Sequence, residues 1–166
     1  MIINKLIETF SQNLQFIPNF TPCVIFDIDG TILKDNIFTP KNEHDIIIPV
    51  LYFLYYLQKK GITIFIVTAR PDFYENRLRT IEMLTDLNIN YHHLFMMNME
   101  QYNNHILYKR HVRQFLTYKN FNIIMCLGDN TWDYGEYGIG VHIHNNGEYI
   151  TFHSFENYDN SIVSFF

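Results

Sequence analysis

The sequence predicts an α/β domain: a doubly wound parallel sheet of about five strands, helices on both faces, and a C-terminal hairpin. Two observations carry that prediction. Five short apolar runs recur along the 166 residues, and segments with helical periodicity separate them. A third observation, polar residues gathered where the runs end, says where a ligand would bind.

Taken in order, MIINKLIETFSQNLQF spaces Ile3, Leu6, Ile7, Phe10 and Leu14 along one helical face. Residues 1–20 are therefore expected to hold an amphipathic helix packed on the domain. The first strand is CVIFDI, 23–28. A short flap, 32–45, leads to DIIIPVLYFLYYLQKK, whose helix should stop at Gly61. The runs ITIFIV (62–67) and NIIMCL (122–127) are almost continuous in β-branched and apolar residues, as strands buried on both faces are. Between them lie the helix DFYENRLRTIEMLTDL, the strand YHHLFMM (91–97) and the helix YKRHVRQFLTYK. Leu78, Ile81, Met83 and Leu84 of the first of these helices are available to a core. The fifth run, IGVHIH (139–144), is followed by HNNGEY, a turn sequence that returns through YITFHSF. Residues 145–166 read as hairpin and tail, with the apolar SIVSFF expected to pack down, and residues 1–166 as one domain.

Composition narrows the function. The chain is 48% hydrophobic and 17% aromatic, enough for a core, and its 17% charged residues argue against disorder. A formal charge of −5 argues against general nucleic-acid binding, which needs a basic face. It leaves room for a phosphorylated substrate held by one or two local cations. Cys23 and Cys126 sit inside apolar runs and are expected to be reduced core residues. No stretch approaches the roughly 18 apolar residues of a membrane helix, and Glu8 and Gln12 interrupt any secretory signal. A cytoplasmic or intracellular protein with no membrane partner is expected.

The strand ends carry the chemistry. VIFDIDGTIL places Asp27 and Asp29 one residue apart, so strand alternation points both carboxylates the same way at the end of a buried segment. Carboxylates that close raise each other's pKa unless something compensates. IFIVTAR closes the second strand with Thr68 and Arg70, and GDNTWD closes the fourth with Asp129, Asn130 and Asp133. Lys109 stands at the start of the helix that leads into the fourth strand. If the sheet forms, four carboxylates, a hydroxyl and an ammonium meet on one rim. Asp-x-Asp-Gly also opens calcium loops, but an EF-hand would need Gly and Glu where Ile32 and Phe38 stand.

In this order and spacing the segments resemble the motifs of the haloacid dehalogenase (HAD) superfamily, over about residues 22–145. DIDGT resembles the first motif, IFIVTAR the second, Lys109 the third-motif lysine, and GDNTWD a fourth motif of the form Gly-Asp-x-x-x-Asp. VTARP followed by a helix, with the compact length, is most similar to the acid-phosphatase-like branch. The resemblance implies a Rossmann-like HAD fold and a phosphatase that hydrolyses a phosphate monoester through an aspartyl-phosphate. It implies Asp27 as nucleophile and Asp29 as acid, then base. Thr68 would donate to a phosphoryl oxygen, and Lys109 would offset the negative charge. Mg²⁺ would sit between Asp27, the Asp29 backbone carbonyl and Asp129, with Asp133 binding a metal water or orienting Lys109. Arg70 and Asn130 are candidates for contacting substrate or supporting the metal's waters; Arg70 suits an ordinary ion pair equally well. Arg110, Arg113 and Lys119 are the alternatives to Lys109. Trp132 suits packing better than a wall for an aromatic leaving group.

Neither residues 32–61 nor 71–108 leave space for a folded cap, so the site is expected to be open unless an oligomer partner covers it. An open site admits a small phosphoester or an exposed phosphate on a macromolecule. The rival readings are a phosphotransferase, a nucleotide or nucleic-acid-end phosphatase, and a non-catalytic interaction protein that keeps the fold. A dehalogenase fits less well, since those relatives usually lack the second aspartate of DID. His92-His93 and His142-x-His144 would permit Zn²⁺ on spacing, but the sequence offers no convincing further ligands, so they are expected to be surface or core histidines.

Overall fold

A computed structural model describes residues 1–154 and gathers the apolar runs into one six-stranded sheet. β1 (Thr21–Phe26), β2 (Thr63–Pro71), β3 (His93–Met97), β4 (Phe121–Gly128) and β5 (Ile139–His144) run parallel. β6 (Tyr149–His153) returns antiparallel to β5 after a 3₁₀ turn at Asn145–Gly147, so the expected hairpin supplies a sixth strand. The SIVSFF segment lies outside the described residues. The spatial order is β3-β2-β1-β4-β5-β6. From β1 the chain winds outward to β2 and β3 on one side, then returns to build β4 and β5 on the other. The switch point of the fold therefore lies between the tips of β1 and β4.

Four helices cover the sheet: α1 (Ile2–Asn13), α2 (Ile48–Lys59), α3 (Tyr74–Asp86) and α4 (His105–Tyr118). Strand alternation divides the apolar side chains between two layers. Val24 and Phe26 of β1 pack with Leu6 and Phe10 of α1, Phe53 and Leu57 of α2, and Met83 and Leu84 of α3. Cys23 and Ile25 face the other way, toward Val112 and Leu116 of α4. Each such fully buried side chain contributes about 1.5–3 kcal/mol relative to exposure. Both cysteines are free and buried, and burial pushes the Cys126 thiol up to about 12, so it behaves as a small apolar residue.

Three element boundaries differ from the sequence expectation. α1 stops at Asn13 instead of running toward residue 20; Leu14 is already extended, and Phe16 and Ile17 stay exposed. α2 begins at Ile48, because Pro49 is tolerated in a first turn where its missing N–H leaves no bond unmade. α4 begins at His105, a turn earlier than expected, because the Asn104 side chain caps the amides of Ile106 and Leu107. Lys109 accordingly sits in the second turn of α4, and His105 tops the helix. Among the described residues, the segment between β1 and α2 holds a single 3₁₀ turn, Glu43–Asp45, and that between β2 and α4 holds α3 and β3. No cap domain is present there, and no helix is long and apolar enough to cross a membrane.

Candidate active site

Because β1 ends at Phe26, Asp27 leaves the strand tip and Asp29 lies on a turn. The amides of Thr31, Ile32 and Leu33 all donate to the Ile28 carbonyl, closing that turn, with Gly30 at φ +73°. Strand alternation predicted that both carboxylates face one way. The turn instead gives them separate partners: Asp27 points inward to Lys109, and Asp29 lies at the rim against Arg70.

Lys109 is 3% exposed and commits its three protons. Nζ donates to Asp27 Oδ1 at 2.9 Å, Asp133 Oδ1 at 2.6 Å and the Val67 carbonyl at 2.9 Å. Burial works to lower this ammonium's pKa, but Asp133 and Asp27 outweigh it and hold it above the ordinary lysine range. The alternative cation Arg113 turns elsewhere and donates to the Trp132 carbonyl. Asp133 is fixed from its other oxygen by the Asn130 amide at 2.9 Å, in a capping box at the 3₁₀ turn Thr131–Asp133. Gly128 makes room for it: a Cβ there would meet the Asp133 Cβ at 2.1 Å.

Asp27, Asp129 and Asp133 each bring a carboxylate oxygen within 4.8 Å of the others, the one such metal-ligand group among the described residues. Asn130 steadies the second of them, donating from Nδ2 to Asp129 Oδ1 at 3.1 Å. Burial, then Asp133, pushes the Asp27 carboxyl well above the usual range; Lys109 only partly opposes this. Burial, Asp133 and Asp35 raise Asp129 to about 6. Crowded hard oxygens disfavouring their own ionisation form a donor set that suits Mg²⁺, which would relieve the repulsion. Gly30 is needed twice here, since a Cβ would lie 2.2 Å from Asp129 Oδ2 and its φ is left-handed. Were this set to hold Mg²⁺, Gly30→Ala would weaken its binding by about tenfold or more through displacement of the Asp129 carboxylate. Calorimetric titration checks this, and an unchanged affinity would count against Asp129 as a ligand.

Thr68 is fully buried in the second half of β2, where its hydroxyl accepts from the Arg70 amide at 3.2 Å. Arg70 forms the ion-pair alternative of the sequence reading, gripping both Asp29 oxygens at 2.8 and 3.0 Å. Above these groups opens a cleft of about 410 Å³ whose floor includes Asp27, Asp29, Thr68, Lys109 and Asp129. Phe38, Pro71, His105 and Trp132 also line it, and the His105 and Trp132 rings meet edge-on at 6.0 Å. Trp132 thus stands at the cleft as well as packing against its neighbours. His105 and Phe38 escaped the sequence reading. The signal for His105 was its i, i+4 spacing to Lys109, visible once Asn104 is read as the helix cap.

The histidines of β5 gain a companion. His142 and His144, both half-buried, stack at 4.1 Å, and Thr151 Oγ1 hydrogen-bonds the Nε2 atoms of both His144 and His153. The Tyr134 hydroxyl meets His142 Nδ1 at 2.9 Å. Burial, followed by neighbouring imidazoles, lowers the pKa of His142 and His153.

The family model of the HAD superfamily, subfamily IIIB (acid phosphatase), matches residues 38–157. That span begins past Asp27 and Asp29 and includes Thr68, Lys109, Asp129 and Asp133. A chain from the Pnkp1/Rnl/Hen1 complex and one from the Pnkp1/Rnl/Hen1 RNA repair complex each share 21% identity over 73% of this chain, with TM-score 0.59. This chain spans 43% and 40% of their lengths. A Mesorhizobium loti protein assigned to the HAD-like phosphatases shares 15% identity at TM-score 0.51, covering 72% of this chain and 68% of its own. At these identities the likeness concerns the fold. No curated protein matches the sequence.

Proposed function

The chain belongs to the acid-phosphatase subfamily, IIIB, of the HAD superfamily, and from that premise we propose that it is a Mg²⁺-dependent phosphatase acting on a phosphate monoester through an aspartyl-phosphate. The observation that carries this reading is Asp27: a buried carboxylate at the switch point, held by Lys109 and within metal-sharing distance of Asp129. Asp27, the Asp29 backbone carbonyl and Asp129 would hold Mg²⁺, which when bound neutralises the crowded carboxylates and the phosphoryl oxygens.

The side chains divide the remaining work. An Asp27 oxygen forms a bond to phosphorus as the ester P–O bond breaks, and Asp29, which first takes up a proton from solvent on its exposed side, passes that proton to the departing oxygen. Asp29 then takes a proton from water, whose oxygen attacks the aspartyl-phosphate, releasing phosphate and restoring Asp27. Lys109 positions Asp27 and offsets charge; Asp133 and Asn130 hold Lys109 and Asp129 in place. Thr68 donates its hydroxyl hydrogen to a phosphoryl oxygen. The unit is read as a single domain with its flap at 32–45, and the buried free thiols fit an intracellular setting. Phosphate release from a panel of monoesters tests the reading. Turnover should require Mg²⁺, stop on chelation with EDTA and return on adding metal back; activity that survives chelation points to another mechanism.

A phosphate at a nucleic-acid end is a second reading, favoured by the wide cleft lined by His105 and Trp132, on whose rings a base would stack. An end-phosphorylated oligonucleotide in the same panel decides between them.

Protons should compete with the metal. The Asp129 carboxyl lies at about 6 when folded and metal-free, above its ordinary 3.8. Between those values this carboxyl binds more proton in the native state than in the unfolded chain, so the penalty it places on the metal-free fold eases as pH falls through about 6. Mg²⁺ needs the ionised form. The rise in melting temperature caused by Mg²⁺ should be full near about pH 7.5 and fade by about pH 5. Thermal scans at both values check this, and equal shifts would contradict it.

A further inference from the structure

Arg70, near the end of β2, is 5% exposed and contacts three parts of the fold. Its Nε and Nη2 grip Asp29 Oδ2 and Oδ1 at 3.0 and 2.8 Å. Nη2 also donates to the Phe38 carbonyl at 3.0 Å, and Nη1 to the hydroxyl of Thr80, buried in α3, at 3.3 Å. The guanidinium lies 4.1 Å from the centroid of the Phe38 ring, over which Arg79 also stands at 4.5 Å. We propose that Arg70 is a positioning residue that sets both the aim of the Asp29 carboxyl and the seat of the flap beside the cleft. The half concerning Asp29 rests on the phosphatase reading above; the half concerning the flap does not.

Asp29 is attached to a turn past the end of β1, with its side chain 43% exposed. Its backbone alone leaves the carboxyl free to rotate. A fork that binds both oxygens fixes the plane of that carboxyl, which a single ammonium cannot do. Phe38 lies within residues 34–42, a stretch with no helix or strand of its own. Arg70 holds that segment by both its carbonyl and its ring, while Thr80 anchors the guanidinium to α3. One side chain therefore ties flap, acid and helix together. A group so fully bonded has little left for substrate, which separates this role from substrate binding.

The test compares two esters. An alkyl phosphate such as glycerol phosphate needs a proton on its departing oxygen, whereas p-nitrophenyl phosphate releases a phenolate that leaves without one. R70K should lower kcat on glycerol phosphate by roughly tenfold or more and p-nitrophenyl phosphate turnover by less than about threefold, with KM near wild type. The R70K/D29A double variant should be no slower than D29A, since the two residues act as a unit. Equal losses on both esters, independent losses in the double variant, or an effect confined to KM would overturn the acid half. Trypsin cleavage after Lys34 and Lys41, in the flap, should accelerate several-fold in R70K and in F38A under folded conditions; unchanged cleavage overturns the flap half. If the wild-type protein hydrolyses neither ester, the phosphatase reading falls and takes the acid half with it, and the trypsin arm still decides the flap. R70Q replaces R70K should the latter not fold.

Discussion

Asp27→Asn is expected to remove turnover, by on the order of 10⁴-fold or more, in a chain that remains folded. The asparagine oxygen can still accept the Lys109 hydrogen bond now made by Asp27 Oδ1 at 2.9 Å. What disappears is the anionic oxygen that would bond to phosphorus. Burial and the neighbouring Asp133 already burden the Asp27 charge, so the metal-free variant should melt no lower than wild type. Phosphate release and a thermal melt, run together, separate loss of chemistry from loss of fold. Hydrolysis at the wild-type rate would remove Asp27 from the nucleophile's role.

Lys109→Met should cost the most stability. The ammonium is buried among Asp27, Asp133 and the Val67 carbonyl, and removing it leaves two carboxylates without their cation. Breaking a buried pair by deleting one partner costs about 3–5 kcal/mol. The sign with pH follows from the wild-type shift. Lys109 is held above its ordinary value, so its contribution is present throughout the neutral and acid range. In the variant the stranded carboxylates protonate more readily, so its deficit should be largest near neutrality and shrink on acidification. Urea denaturation at about pH 7 and about pH 5 measures both points. A variant within about 1 kcal/mol of wild type at neutral pH would contradict the assigned role. Turnover should fall as well, because Asp27 loses the group that holds it.

The strands and the acidic and basic residues at their tips were legible because both signals are local. Apolar runs such as ITIFIV reveal a buried strand, and GDNTWD carries its two aspartates within one short turn. Lys109 was legible from its place before β4, and the structure separates it from Arg113 by geometry that no composition supplies. Asp29 was harder. Its divergence from Asp27 depends on the turn at Gly30, and its pairing with Arg70 joins residues 41 apart, from a turn past β1 to the last residues of β2, which no local periodicity marks. His105 was hidden by a one-turn error in where α4 begins. His153 joined His142 and His144 only through the antiparallel register of β6, in which Thr151 lies opposite His142. Side-chain partners set by loops and register were the part the linear pattern did not contain.

Without a folded cap among the described residues, the fate of a phosphoryl group on Asp27 would be set by what reaches the cleft. Nothing among the described residues roofs the 410 Å³ cleft, so an acyl phosphate on Asp27 would meet whatever hydroxyl compounds diffuse in from bulk solvent. Water would then win by abundance and not by selection. Added alcohols should divert a share of each turnover into new esters, in proportion to their concentration.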